Sequence, residues 1–341
     1  MSVKIDIHAD DFGESVHASR DILECLKDGK LNSISVLANM SCFEECVRLY
    51  REAQEEFPWQ PAISVHVNLM EGSCLSDPKD LPDLVDEKGH FQISWEKLFF
   101  VSYLPSRNRF KKQLKKEIEL QIKAVAGVFS ELNLQELRID SHQHTHMIPV
   151  VAEALFEVLE EQGWKASYIR DAKEPFFVFL QKTSLYKTYR PVNFVKNILL
   201  NYCSALLQKR FRNAGMKPMY LWGLIMSGHM DEERIRQLLP DIEKKAEDNI
   251  LKNKDVREEL KNMTVLKAAH HGSASSSGEE FIKLVNPEVT VISCGINNRY
   301  GHPKESTLKM LKKYNSDIYV TKECGQVMIR YTKDKFYVKT L

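Results

Sequence analysis

The residues best equipped for chemistry fall into two groups. The first comprises Asp10-Asp11-Phe12-Gly13, His66 within Ser64-Val-His-Val-Asn-Leu69, and Asp140-Ser-His-Gln-His-Thr-His146. The second is Ala269-His270-His271-Gly272, followed by Asn297-Asn-Arg-Tyr-Gly-His302-Pro303. Carboxylates and imidazoles gathered behind short apolar runs supply anionic oxygen and neutral nitrogen together, the donor set a hard or borderline divalent cation takes. Adjacent carboxylates such as Asp10 and Asp11 are cheaply desolvated only when a cation or a shared proton relieves their repulsion, so one is expected on a metal and the other as a base. An isolated Asp-Asp is usually a surface turn, and a lone strand histidine such as His66 usually packs. Three histidines within five residues after an aspartate are harder to assign to packing, because buried imidazoles need partners. His142, His144 and His146 would share one face if the strand ran on, although a strand-end loop needs to supply only one or two ligands. Together these sites suggest one metal centre.

The elements that must position these residues follow an α/β pattern. Short β-branched runs alternate with helical stretches over the first two-thirds of the chain, the sign of βα units and a largely parallel sheet. Strands are expected over Val3–His8, Ser33–Leu37, Ala62–Leu69, Leu137–Ser141, Ser167–Arg170 and Tyr220–Met226, and helices over Ser15–Asp28, Phe43–Glu56 and Val150–Gln162. Arg107–Leu132 carries Leu114, Ile118, Ile122, Val125 and Phe129 at helical spacing, with its charges on a solvated face. The stretch from Ser204 to Lys217 is basic and mixed, and Asp231–Asn262 is helical and charged, like a seam. Beyond it come short strands at Val265–Ala269, Val289–Cys294, Ile318–Thr321, Val327–Tyr331 and Phe336–Lys339, with one helix at Pro303–Tyr314.

The 341 residues suit either one α/β barrel or two domains. With 48 basic and 47 acidic side chains, no global field gathers nucleic acid or an acidic membrane surface, so a small neutral partner is expected. The seven cysteines form no Cys-x-x-Cys pair and read as reduced thiols. The N-terminus lacks signal-peptide features, and no apolar run approaches the ~20 residues of a membrane span. A cytoplasmic protein is the expectation, with a homodimer left open.

The motifs His8-Ala-Asp-Asp-Phe-Gly13, Leu31-Asn-Ser-Ile-Ser-Val-Leu-Ala-Asn39, Val65-His-Val-Asn-Leu-Met-Glu-Gly72, Asp140-Ser-His-Gln-His-Thr-His146, Ile169-Arg170 and Gly223-Leu-Ile-Met-Ser-Gly-His-Met230 resemble, in order, those of YdjC/ChbG-type carbohydrate deacetylases. The resemblance covers roughly residues 1–245. It implies a (β/α) barrel-like fold and hydrolytic removal of N-acetyl groups from amino sugars or oligosaccharides with one divalent metal ion. It also implies Asp11, His66 and His142 as metal ligands and Asp10 as the base. Arg170 is expected to orient Asp10 or to bind substrate, with a plain salt bridge as the alternative. Magnesium follows from the resemblance, while two histidines and a carboxylate also suit zinc.

That family continues into an apolar strand ending in His-Pro-Gly, whose histidine protonates the leaving amine, and this chain has no His-Pro-Gly. Instead Val265-Leu-Lys-Ala-Ala-His-His-Gly-Ser273, Val291 to Pro303 and Tyr319-Val-Thr-Lys-Glu-Cys-Gly325 resemble the end of a ComEC-type metallo-β-lactamase-fold domain, over roughly 255–341. A complete domain of that kind also needs an upstream His-x-His-x-Asp-His cluster, so an incomplete α/β segment is expected here. Val265–Gly272 is a candidate substitute for the missing strand, with His270 as the general acid. The preferred alternative is that His270 and His271 are orphaned ligands of a second site. The expected enzyme is thus a carbohydrate N-deacetylase, impaired unless the acid is replaced. Its rivals are a metallo-β-lactamase-fold hydrolase or nuclease and a non-catalytic sugar- or metal-binding remnant.

Overall fold

Strands too short to form a core alone are stacked into parallel sheets in this computed structural model. It describes residues 6–216, 220–227, 229, 232–252, 257, 258, 260–274, 277–296, 298, 301–331 and 336–340. The chain divides into compact units at 5–228 and 229–341. In the first unit the order is β1 (His8–Phe12), α1 (Val16–Lys27), β2 (Ser33–Val36), α2 (Phe43–Ala53), β3 (Ala62–Val67), α3 (Trp95–Val101) and α4 (Arg107–Val128). It continues with β4 (Leu137–Ser141), α5 (Pro149–Glu161), β5 (Ala166–Ile169), α6 (Phe176–Gln181) and α7 (Pro191–Asn213). The five strands form one parallel sheet in the order β1-β2-β3-β4-β5, with β1 and β5 as its edges among the described residues. This is a mixed α/β fold whose strand C-terminal ends all face one way, the end at which such sheets place reactive groups.

Local chemistry explains most boundaries. Ser15 caps α1 by accepting the Ala18 amide, and Gly29, at φ +65°, ends it in the left-handed region. On α4 the apolar stripe expected from spacing is fully buried: Leu114, Ile118, Ile122 and Val125. The neighbouring Gln113, Glu117 and Gln121 are buried too, which corrects the expectation of a wholly solvated polar face. Glu117 accepts the amides of Leu75 and Ser76 and the Ser76 hydroxyl, and Gln121 exchanges two hydrogen bonds with the Asn68 backbone. The helix therefore holds the long loop after β3 through polar groups that leave little unpaired.

Two other expectations change. The first strand is β1, His8–Phe12, rather than Val3–His8, whose residues 3–5 lie outside the described residues. Asp10 and Asp11 thus lie within the strand. Tyr220–Met226 is turn and bend, because the buried Glu174 carboxylate accepts the successive amides of Gly223, Leu224 and Ile225. A strand would point those amides to opposite sides. The Ser204–Lys217 stretch begins within the long helix α7, and residues 217–219 lie outside the described residues.

The second unit contains α8 (Glu232–Lys252), β6 (Val265–Lys267), α9 (Glu279–Val285), β7 (Val289–Ile292), α10 (Glu305–Lys313), β8 (Asp317–Val320), α11 (Thr321–Cys324), β9 (Val327–Tyr331) and β10 (Phe336–Thr340). Strands β6-β7-β8 form a parallel sheet, and β9 and β10 pair antiparallel. Its core is small: Ala268, Ile282, Ile292, Leu311 and Val320. Residues 253–256, 297, 299 and 300 of the expected seam and motifs lie outside the described residues.

Candidate metal centre

Four of the five parallel strands deliver polar groups to the same end of the sheet: β1 gives Asp10 and Asp11, β3 His66, β4 Asp140 with His142 following, and Arg170 follows β5. On β1 the register with β2 is broken between Ala9 and Phe12, and Asp11 takes φ 64°. That irregular step turns Asp11 toward β3 and β4 while Asp10 stays beside Arg170. Gly13, at φ +98°, lets the chain leave β1 against β2, where a Cβ would sit 2.8 Å from the Leu37 carbonyl oxygen.

His66 on β3 stands in register opposite Asp140 on β4. Its Nδ1 meets Asp140 Oδ1 at 2.5 Å, leaving Nε2 3.1 Å from Asp11 Oδ1. His142 begins the 3-10 turn His142–Met147 after β4 and places Nδ1 2.9 Å from the same Asp11 oxygen. The three residues expected as ligands, Asp11, His66 and His142, are therefore brought together. A cation about 2.1 Å from two donors at right angles holds those donors about 3 Å apart, so the Asp11 separations fit an ion of that size. The carboxylate behind His66 fixes its tautomer, as is usual behind ligating imidazoles.

Arg170, directly after β5, is 5% exposed and grips Asp10 with both terminal nitrogens at 2.8 and 2.7 Å. It also reaches Asp140 Oδ2 at 2.6 Å. His8 approaches Asp10 at 3.2 Å and bonds Ser33 and Ser35. His8, Asp10 and Asp140 form a second donor cluster, with the Arg170 guanidinium already lying against its two carboxylates. Burial favours protonating Asp10, yet the His8 hydrogen bond and the Arg170 charge hold its carboxyl far below the usual carboxylate range. Asp140 is likewise held low against its burial, by Arg170 and His66. For His66, burial opposes the charged ring, but Asp140 and Asp11 push it up to about 9.

The three histidines of the turn part company because β4 ends at Ser141, and Gln143 and His144 take φ 53° and 56°. His146 is structural: Nδ1 meets the Ser141 hydroxyl and Nε2 the Arg170 carbonyl. Burial pushes it down to about 4. Burial, reinforced by Arg170, takes His144 down to about 3, so both rings are neutral at ordinary pH. Sequence reasoning assigned no role to His8, Ser35 or Asp140, although His8 and Asp140 stand inside the quoted motifs. Their signal was two-residue alternation on neighbouring parallel strands, and it needs the register to be read. Asp10 and Arg170 lie within this group, whereas His270 lies on the turn Ala269–Gly272 after β6 in the second unit.

A family model described as YdjC-like protein matches residues 4–294. A carbohydrate deacetylase of Brevibacillus brevis is 30% identical over 159 residues, 47% of this chain and 56% of that protein. ComE operon protein 3 of Bacillus subtilis is 38% identical over 94 residues, 28% of this chain and 12% of that protein. The chain thus spans about half the length of that deacetylase and a small part of the ComE protein. A crystal structure from Enterococcus faecalis, of a protein named for cellobiose-phosphate cleavage, aligns over 93% of this chain and 97% of its own, with 12% identity and TM-score 0.44.

Proposed function

The chain belongs to the YdjC-like family, and from that premise we propose that it is a metal-dependent hydrolase removing N-acetyl groups from amino sugars or oligosaccharides. The observation that carries this reading is the convergence of Asp11, His66 and His142 beside an ionised Asp10. The similarity to carbohydrate deacetylases supports the substrate class. It also supports the barrel-like reading of the first unit.

Asp11 and the two histidines would hold the ion, magnesium or zinc. Bound there, a divalent cation supplies Lewis acidity, polarising an amide carbonyl and making water a better acid. Asp10 accepts the proton of the attacking water. The His8 hydrogen bond and the Arg170 charge keep it ionised, the state in which it can take that proton. Arg170 acts as a positioning residue: its guanidinium is committed to Asp10 and Asp140 and largely shielded from solvent, which favours orientation of Asp10 over substrate contact. His270 is the candidate acid for the departing amine, the alternative being that His270 and His271 are orphaned ligands of a second site. The similarity to ComE operon protein 3 supports the likeness read in 255–341 to the end of a ComEC-type domain.

Release of acetate from an acetylated amino sugar, measured with and without a chelator, tests the proposal. Metal-dependent release lost in Asp10→Asn supports it. A metal-loaded protein with no release from monomeric or oligomeric substrates would leave a binding remnant instead.

A further inference from the structure

Helix α7 carries apolar side chains on its outer face as well as its inner one. Its inward face carries Asn193, Asn197 and Ser204 beside Leu200, Cys203 and Leu207, all buried. The asparagines are used there: Asn193 donates to the Ile225 carbonyl, Asn197 to the Glu174 carboxylate, and Asn201 to the Glu174 carbonyl. The outward face carries Val192, Val195, Ile198, Tyr202 and Leu206, each about half exposed, with Val195 at 57% and Ile198 at 55%. At 100° per residue these five side chains fall within an arc of roughly 120°, a continuous apolar stripe about 21 Å long. α6 extends the stripe. Ring contacts of Phe176 and Tyr189 with Phe194 tie the preceding segment to the start of α7, and Phe177 next to them is 76% exposed. A contiguous apolar surface of this kind on a folded protein marks an interaction site.

The charge around the stripe selects the partner. Between Pro175 and Met230 the sequence holds eight lysines and arginines and no aspartate or glutamate. The rest of the chain then has 40 basic side chains against 47 acidic, so near-neutrality overall conceals a segregated basic stretch. Lys196 and Lys209 are exposed on α7, and Lys187 and Arg190 are exposed just before it. Two copies packed through this face would bring like charges together, with no carboxylate from the stretch to pair them. An anionic lipid surface instead offers acyl chains to the stripe and phosphates to the lysines. We propose that the outer face of 175–213 docks on an anionic bilayer. The inner side of α7 packs on the turn that carries His142, so the site lies one helix layer behind the docking face. The sequence reading foresaw no membrane partner because it weighed total charge and spanning segments, and this face is peripheral.

Vesicle co-sedimentation tests the proposal, with vesicles of phosphatidylcholine alone or containing about 30% phosphatidylglycerol. The wild type is expected on the anionic vesicles and not the neutral ones, and to be released by salt. Ile198→Asp should abolish partitioning. Lys196→Ala with Lys209→Ala, which leaves the apolar stripe intact, should weaken it by about 10- to 30-fold, at roughly fivefold per charge. Hydrolysis of a soluble acetamido sugar should be unchanged in these variants, so failed docking and failed deacetylation are read separately. Absence of the wild type from anionic vesicles overturns the proposal, as does binding that the lysine variant leaves unchanged. A wild-type dimer in solution that Ile198→Asp dissociates overturns it too, assigning the stripe to a second copy.

Discussion

The turn after β4 and the turn after β6 are built on one plan. Each is a short 3-10 segment following a parallel strand, each carries consecutive or alternating histidines, and each holds one in the left-handed region, His144 at φ 56° and His271 at φ 57°. Their neighbours differ. Around the first, β1 and β4 supply Asp11 and Asp140, β3 supplies His66, and Arg170 follows β5. Around the second, the chain after β7 offers a backbone carbonyl, that of Ser293, to His271 Nδ1, and Cys294 and Thr321 bond each other. Gly272, at φ +78°, closes that turn so tightly that a Cβ would lie 2.7 Å from Pro303 Cβ. Histidines at a strand end are thus not enough to gather a cluster of donor side chains. Carboxylates delivered by neighbouring strands in matching register make the difference, and among the described residues clusters of three or more donor side chains occur in the first unit only.

The contrast is broken most directly at the ligands. His66→Ala or His142→Ala should reduce acetate release to background, whereas His271→Ala should leave a loaded ion in place. Next in size is Asp10→Asn, expected to lower kcat by about 10²- to 10⁴-fold with the ion retained, since an amide cannot take the proton. An effect of the same order is expected for His270→Ala on an ordinary acetamido sugar, and little effect on one whose leaving group needs no protonation. Equal rates for wild type and His270→Ala on both substrates would show that the second turn supplies no acid.

Arg170→Lys sharpens the comparison further, because an ammonium cannot reproduce the two-point grip on Asp10. A fall in kcat of about 10- to 100-fold with little change in KM is expected. With the clamp weakened, the Asp10 pKa should rise, so the acid limb of the rate profile moves to higher pH. A rise in KM alone would assign Arg170 to substrate instead. The smallest effect concerns pH and stability of the metal-free protein. His66 is raised to about 9 from an ordinary 6.5, so its contribution is fully present below pH 6.5 and is lost as pH climbs through about 9. Thermal melts of the metal-free protein should therefore fall by several degrees across that window, and His66→Gln should flatten the trend.

Part of the candidate site was legible because its residue types rarely cluster by accident: the Asp10-Asp11 pair and the His142, His144, His146 set stood out by chemistry, whereas His66, the choice of His142 and Arg170 came from the motif resemblance. Their partners were less legible. Asp140 is the residue opposite His66 across two parallel strands, and no spacing along the chain states which strands are neighbours. The α4 periodicity gave its buried stripe directly, yet Glu117 looked like any exposed charge until the loop it anchors was folded against it. Helix α7 escaped notice because apolar residues lie on both faces, Leu200, Cys203 and Leu207 inside and Val195 and Ile198 outside, with asparagines on the inner one, so the usual contrast between faces is absent. The strand expected at Tyr220–Met226 failed for a similar reason: a buried Glu174 competes for the amides that a sheet would need.

Elemental analysis of purified protein, dialysed against a chelator and reloaded with magnesium or zinc, tests the central claim most directly. One ion per chain is expected in the wild type, in Asp10→Asn and in the double variant His270→Ala, His271→Ala, and none in His66→Ala. An ion that survives in His66→Ala and disappears with His270 and His271 would contradict the account and move the metal centre to the second turn.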